Sequence, residues 1–72
     1  MIESTDVEIR RRLEHELSSD KRTRDAVIDV ALLGGQVTLT GEVRDAATKA
    51  AAEEIARSVA GSRVVINELR IV

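Results

Sequence analysis

Residues 35–43 constrain the fold of this chain more than any other segment. They read Gly-Gln-Val-Thr-Leu-Thr-Gly-Glu-Val, the apolar/polar alternation of a half-buried β-strand. A Gly-Gly pair at 34–35 precedes the alternation, and such pairs adopt the positive φ that tight hairpins need. The second strand of a hairpin is therefore predicted over residues 37–40, extending at most to Val43, with Val37, Leu39 and Val43 facing inward. Gly41 is expected to mark a bulge or a close backbone approach.

The first half of the hairpin and an earlier helix follow from similar patterns. A strand is predicted over residues 26–32, with its core face at Ala26, Ile28, Val30 and Leu32, because Asp29 marks the opposite face as solvent-exposed. Before it, a helix is predicted to begin at Thr5, where Thr5 and Glu8 have the spacing of a capping box. The apolar residues of that helix recur every four positions, at Ile9, Leu13 and Leu17. A charged connector, residues 20–25, separates the two elements.

The rest of the chain predicts a second helix and a third strand. Asp45 is a suitable N-cap for a helix over residues 46–59, and Gly61 is expected to end it in the left-handed conformation. The buried stripe of this helix is predicted at Ala52, Ile55, Ala56 and Val59. A strand follows over residues 64–72. Asn67 is the polar member of its more apolar face, and its amide is expected to bond to carbonyls at the end of the second helix.

The predicted order is therefore α-β-β-α-β in one domain, residues 1–72, of the α+β class. Both helices are amphipathic, and one face of a three-stranded sheet is where they can bury their stripes. The chain has 72 residues and no Phe, Tyr or Trp, so its core must consist of aliphatic side chains. A chain of this length hides only about 60% of its unfolded surface, so that core must be small.

Composition excludes several function classes. The absence of cysteine excludes disulfides and thiolate metal sites, and a net charge of -2 argues against a broad nucleic-acid surface. No apolar run approaches the roughly 18 residues of a membrane span. Residues 1–6 are acidic and polar, unlike a signal peptide, so the chain is expected to be cytoplasmic as written, or periplasmic if a leader was removed.

In this order and at this spacing, the motifs resemble the BON domain, a family named for bacterial osmotic-stress and nodulation proteins. The resemblance covers residues 6–72. It rests on the spaced aliphatics of the first helix, the V-x-L-x-G-x-V strand at 37–43, and the A-x-x-I-A-x-x-V helix at 52–59. It also includes Gly35, Gly61 and the V-x-N-x-L strand at 65–69.

The resemblance implies a mixed sheet, no catalysis, and a role at phospholipid or cell-envelope interfaces, often as tandem copies in exported proteins. Other members are fused to ligand-sensing or channel domains. Gly35, Gly41, Gly61 and Asn67 match the family pattern and are expected to be structural residues. The chain departs from the family in holding one copy, in lacking an export signal, and in having Ser62 where an aliphatic residue is usual.

The residues predict no catalytic site, no metal site and no cofactor. His15 is the only histidine, and the residues one turn away on its helix are Arg11 and Ser19, which are poor partners for a metal site. Gly34-Gly35 lacks the Lys and Ser/Thr of a phosphate-binding loop. Carboxylates such as Glu42, Asp45 and Glu53 form no recognisable ion loop.

The positive charges form two clusters, Arg10-Arg11-Arg12 and Lys21-Arg22-x-Arg24. One interpretation is a solvated surface, with Asp6–Arg10 and Glu8–Arg12 ion pairs along the first helix. The other is contact with anionic phospholipid head groups, for which Arg11, Lys21, Arg22 and Arg24 are the candidate residues. Without aromatic anchors, such contact is expected to be shallow.

A second function class remains open. A three-stranded sheet has two edges, and either is able to accept a strand from another protein. The alternative prediction is therefore a cytoplasmic protein-interaction or regulatory domain that senses a ligand or an ion. An RNA-binding role is disfavoured, because the basic Gly-x-x-Gly loop that clamps RNA is absent.

Overall fold

The computed structural model describes residues 6–61 and 63–72. Its elements follow the chain in the order α1 (Asp6–Ser19), β1 (Val27–Leu33), β2 (Gln36–Val43), α2 (Ala46–Ala60) and β3 (Val64–Ile71). The predicted α+β class and α-β-β-α-β order are confirmed. The expectations placed on Thr5 and Ser62, a capping box and a departure from the family pattern, lie outside the described residues.

The sheet is mixed, with β2 at its centre. β1 pairs with β2 in antiparallel register from Val27↔Glu42 to Leu33↔Gln36. β3 pairs with the other side of β2 in parallel register, from Gln36↔Val64 to Val43↔Ile71. A parallel pair needs a crossover between its strands, and α2 provides it. The chain therefore returns to the sheet with α2 on one of its faces.

The turn between β1 and β2 contains only Gly34 and Gly35. Their φ angles are 58° and 79°, and positive φ at both central residues is the signature of a two-residue turn whose twist matches that of the strands. This turn fixes the register of the hairpin. It thereby decides which side chains of β1 and β2 face the helices.

At Gly41 the backbones of β1 and β2 leave no room for a side chain. The pairing continues through Ile28↔Gly41 with no extra residue, so there is no bulge. The φ of Gly41 is 133°, and a Cβ at this position would collide with the carbonyl oxygen of Val27. Only a residue without a side chain fits here.

Both helices pack on the same face of the sheet, as predicted. α1 contacts β1 and α2, whereas α2 contacts β2 and β3. The core between them is aliphatic. Its main members are Leu13, Leu17, Val30, Val37, Leu39, Val43, Ala52, Ile55, Ala56, Ala60 and Leu69. The predicted stripe of α1 is buried in full, and that of α2 except for Val59, which is half-buried.

The two ends of α2 differ in how well the sequence predicted them. Asp45 is the N-cap, and its carboxylate accepts hydrogen bonds from the backbone N–H and the hydroxyl of Thr48, each at 2.8 Å. Gly61 donates its N–H to the carbonyl of Arg57, but its φ and ψ of 67° and -121° lie outside the left-handed helical region. Gly61 therefore ends the helix with a positive φ as predicted, but its ψ is not that of the left-handed helical conformation.

Asn67 faces the helices as predicted, but its partner is different. Its Nδ2 donates to the carbonyl oxygen of Lys49 at 2.9 Å and to Oε1 of Glu53 at 3.4 Å. Lys49 lies in the first turn of α2, so the expected bond to carbonyls at the end of the helix is wrong. The reason is the parallel register, which sets Asn67 opposite Leu39 and beside the early part of α2.

The side chain of Asn67 also bonds within its own strand. Its Oδ1 accepts the backbone N–H of Leu69 at 3.1 Å. The N–H groups of Val64 and Val72 point toward β2, so by alternation that of Leu69 points to the outer edge of the sheet. One amide side chain thus joins β3 to α2 and occupies part of the strand's free edge.

Candidate functional site

Three of the four predicted lipid-binding residues lie together. Lys21, Arg22 and Arg24 are exposed on residues 20–26, which we call the α1–β1 loop. Arg11 is exposed on α1, eight residues before the helix ends at Ser19, or about 12 Å along its axis. The structure therefore brings the loop cations together and leaves Arg11 apart from them.

The α1–β1 loop is a hydrogen-bonded turn. The carbonyl oxygen of Asp20 accepts the N–H groups of Thr23 and Arg24, at 3.0 and 2.8 Å, and Thr23 in turn accepts the N–H of Ala26. The hydroxyl of Thr23 donates to the carbonyl of Leu17 at 2.6 Å, and Thr23 is only 1% exposed. This buried threonine satisfies one of the carbonyls that the end of α1 leaves free.

Arg22 is already engaged by two carboxylates. It bonds to Asp20 through Nε and Nη2, at 3.1 and 3.0 Å, and to Glu54 on α2 through Nη1 at 2.8 Å. The hydrogen bonds from Arg22 lower the pKa of Asp20 to about 2, and those carboxylates raise the pKa of Arg22. Arg22 therefore ties the loop to α2, whereas the side chains of Lys21 and Arg24 make no hydrogen bond or ion pair with any described residue.

The predicted charge pattern of α1 needs a correction. Asp6 does not pair with Arg10; its carboxylate instead lies 4.0 Å from the guanidinium of Arg63, which precedes β3. This ion pair places the start of α1 close to the residue that precedes β3. Arg10 and Arg11 are exposed.

A groove of about 520 Å³ opens beside the α1–β1 loop. We call it the end groove, since it lies at the end of the sheet opposite the Gly34-Gly35 turn. The loop, the β2–α2 connection at Arg44 and Asp45, and Val72 after β3 form its walls. Val27 and Val72 are 79% and 70% exposed at its rim, whereas Val43 is only 2% exposed and packs in the core.

The end groove has charges of both signs. Its cations are Lys21, Arg22 and Arg44, and its carboxylates are Asp25, Asp29, Glu42 and Asp45. Hydrogen bonds from the backbone N–H and hydroxyl of Thr48 hold the Asp45 carboxylate and lower its pKa, so the Thr48 amide of α2 is already capped. Of the predicted lipid-binding residues, Lys21 and Arg22 line the groove, whereas Arg24 and Arg11 do not.

The face of the sheet away from the helices is the second exposed feature. The expectation from Asp29 was a solvent-exposed face, and Asp29, Thr40 and Glu68 are indeed exposed there. The same face also carries Leu33, which is 81% exposed, and Val64. Strand alternation places these apolar residues there, but the predicted first strand ended at residue 32, one residue before Leu33.

The described residues contain no group of three or more His, Cys, Asp or Glu side chains suited to a metal ion. His15 is exposed on α1. The carboxylates considered for ion sensing are dispersed: Asp45 caps α2, Glu53 pairs with Arg57 at 3.0 Å, and Glu42 lines the end groove. Across the described part of the chain, neither helix has the length and hydropathy needed to span a membrane.

The chain was compared with curated proteins and with models of protein families. No curated protein matches the chain in sequence. The family model for the BON domain matches residues 5–72, which is nearly the whole chain and includes both helices, all three strands and the α1–β1 loop. The chain therefore belongs to the BON domain family.

Proposed function

We propose that this BON domain is a non-enzymatic binding module that contacts anionic phospholipid surfaces through its α1–β1 loop. The family is one of small non-catalytic binding modules associated with phospholipid and osmotic stress. The observation that carries the proposal is the pairing of free cations with exposed apolar residues. The side chains of Lys21 and Arg24 make no hydrogen bond or ion pair with a described residue, and Val27 and Val72 are exposed on the adjacent groove.

The energetics favour weak, salt-sensitive contact. Each basic residue near an anionic membrane surface contributes about 1 kcal/mol, within a Debye length of about 10 Å. Lys21 and Arg24 are the main contributors, and Arg11 adds to the field from α1. Arg22 contributes less because Asp20 and Glu54 already neutralise its charge. The carboxylates of the groove limit the attraction further.

Vesicle co-sedimentation tests this proposal. At low salt we expect recovery with vesicles of phosphatidylcholine and phosphatidylglycerol, less recovery with phosphatidylcholine alone, and loss of the difference when salt is added. The double variant Lys21→Gln with Arg24→Gln is expected to weaken the partition roughly 30-fold, from two contributions of about 1 kcal/mol. Equal recovery with both kinds of vesicle at low salt would refute the proposal.

A matched control tests whether vesicle binding depends on the position of the cations or only on the net charge of the protein. The double variant Arg12→Gln with Arg57→Gln changes the net charge by the same amount, at two helix positions outside the α1–β1 loop. It is expected to retain most of the vesicle binding. An equal loss in both double variants would show that the loop has no special part.

The uncovered sheet face favours a second candidate, a protein-interaction domain. Leu33 and Val64 are exposed there, and the outer edge of β1 has no backbone partner among the described residues. Light scattering over a concentration series, with Leu33→Ser as the comparison, tests this candidate. Association that the variant removes would support it, whereas a monomer at every concentration that binds no added protein would count against it.

A further inference from the structure

We propose that the end groove binds a phosphodiester that carries a primary ammonium group, the head-group chemistry of phosphatidylethanolamine. The assignment to a lipid rests on the function proposed above. The assignment of the head-group chemistry rests on the groove alone. It differs from attraction to an anionic surface, because the ligand must present both a positive and a negative group.

The first argument is which groove charges are available. Arg22 and Asp45 are held by other protein groups, as described above. Five charged side chains remain: Lys21, Arg44, Asp25, Asp29 and Glu42. None of the five makes a hydrogen bond or an ion pair with another described residue, although they line one groove.

The balance of these five charges decides between ligand classes. Two are basic and three are acidic. A simple anion would meet more carboxylates than cations, and a simple cation would leave Lys21 and Arg44 without a partner. A ligand with both charges is able to satisfy both sets.

The second argument is where the two signs lie. Asp29 and Glu42 are diagonal neighbours across the β1–β2 pair, on the uncovered face. Arg44 is two residues beyond Glu42, about 6.6 Å further along an extended chain, and Lys21 lies on the adjoining loop. Asp29 and Glu42 on the strands therefore favour an ammonium group, and Lys21 and Arg44 favour a phosphate, although Asp25 lies on the same loop as Lys21. A two-carbon link separates those groups in phosphoethanolamine.

The third argument is the apolar lining between the charges. Val27 and Val72 are exposed there. Methylene groups of an ethanolamine or a glycerol fit against these side chains, while the charged groups reach the rim. A volume of about 520 Å³ is within the usual range for a small-ligand site.

The test is an NMR titration of the labelled protein with soluble glycerophosphoethanolamine. We expect amide shifts confined to residues 20–29, 41–48 and 72. Glycerophosphoglycerol, which lacks the amine, and ethanolamine, which lacks the phosphate, are expected to bind several-fold more weakly. Equal affinity for glycerophosphoethanolamine and glycerophosphoglycerol, or shifts elsewhere only, would overturn the inference.

Two variants test which side chain contacts the ammonium group of the ligand and which contacts its phosphate. Glu42→Gln is expected to weaken glycerophosphoethanolamine up to about five-fold, as for one exposed ion pair, and to leave glycerophosphoglycerol unchanged or tighter. Arg44→Gln is expected to weaken both. Glu68→Gln is the control, since Glu68 is on the same face but outside the groove. Loss of binding in Glu68→Gln equal to that in Glu42→Gln would contradict the assignment.

Experiments with vesicles distinguish a failure of this inference from a failure of the proposed function. The inference would be overturned if the protein showed no preference for phosphatidylethanolamine over phosphatidylcholine and did not bind the soluble head group. The proposed function would still stand if the protein bound phosphatidylglycerol vesicles. Titration by the soluble head group without vesicle binding would support the groove chemistry and point to a soluble ligand as its source.

Discussion

Gly41 illustrates how one missing side chain is required by the packing of two strands. The motif at 37–43 indicated that a glycine here is special, but either a bulge or a close approach fits that motif. The choice depends on the position of the Val27 carbonyl, which belongs to the neighbouring strand. Long-range backbone geometry of this kind is not visible in the local sequence.

Gly41→Ala is expected to destabilise the protein by at least about 1–3 kcal/mol, because an alanine would be strained at this φ and would push Val27 away. Gly34→Ala is the matched control, since it also has positive φ but nothing within 4 Å of an added Cβ. That control is expected to cost about 1 kcal/mol. Urea unfolding measures both, and a smaller loss at Gly41 than at Gly34 would contradict the packing argument.

At the scale of elements, periodicity and capping predicted both helices and all three strands, and the predicted bounds differ from the structure by one residue in most places. These signals are local, so they survive without knowledge of the tertiary fold. The α1–β1 loop was predicted only as a charged connector. Its structure depends on Thr23, a residue that has no distinguishing neighbours in the sequence but meets the end of α1 in space.

Thr23→Val is expected to lower the free energy of unfolding by about 1–3 kcal/mol, because it leaves the Leu17 carbonyl buried without its hydroxyl donor. Thr40→Val, the same substitution at an exposed position with no described side-chain bond, is expected to stay within about 0.5 kcal/mol. Denaturant titration distinguishes the two. Similar losses would mean that the hydroxyl of Thr23 contributes nothing specific.

The loop is also expected to weaken in acid. Hydrogen bonds from Arg22 lower the pKa of Asp20 from 3.8 to about 2, so the stabilisation is complete above 3.8 and is lost as the pH falls toward 2. Arg22→Gln is expected to return the Asp20 pKa toward 3.8, as measured by NMR titration of the carboxyl group. An unchanged Asp20 pKa in that variant would show that Arg22 is not its cause.

At the scale of the whole molecule, the sheet has one buried and one uncovered face. One leucine on each face shows how much the exposure of side chains differs between them. Leu39 is fully buried under the helices, whereas Leu33 is 81% exposed. Leu39→Ala is expected to cost about 2–5 kcal/mol and Leu33→Ala less than about 0.5 kcal/mol. Unfolding experiments compare them, and a large loss at Leu33 would mean that the uncovered face is covered in solution.

The candidate site could be predicted only in part. Lys21, Arg22 and Arg24 are adjacent in the sequence, so their clustering follows from local spacing. The end groove joins them to Asp29, to the β2–α2 connection and to Val72, segments that only the sheet topology brings together. The engagement of Arg22 by Glu54, 32 residues away, likewise could not be read from either segment alone.

The amide of Asn67 has a consequence for how copies of this domain would associate. In a filament, the β3 edge of one sheet would pair with the β1 edge of the next. Both edges would have to be open, and the assembly would have no fixed size. Asn67 occupies the backbone donor of Leu69 on the β3 edge, so that edge offers an incoming strand one donor fewer. Two copies that pair through β1 have no free β1 edge left, so the assembly ends as a dimer.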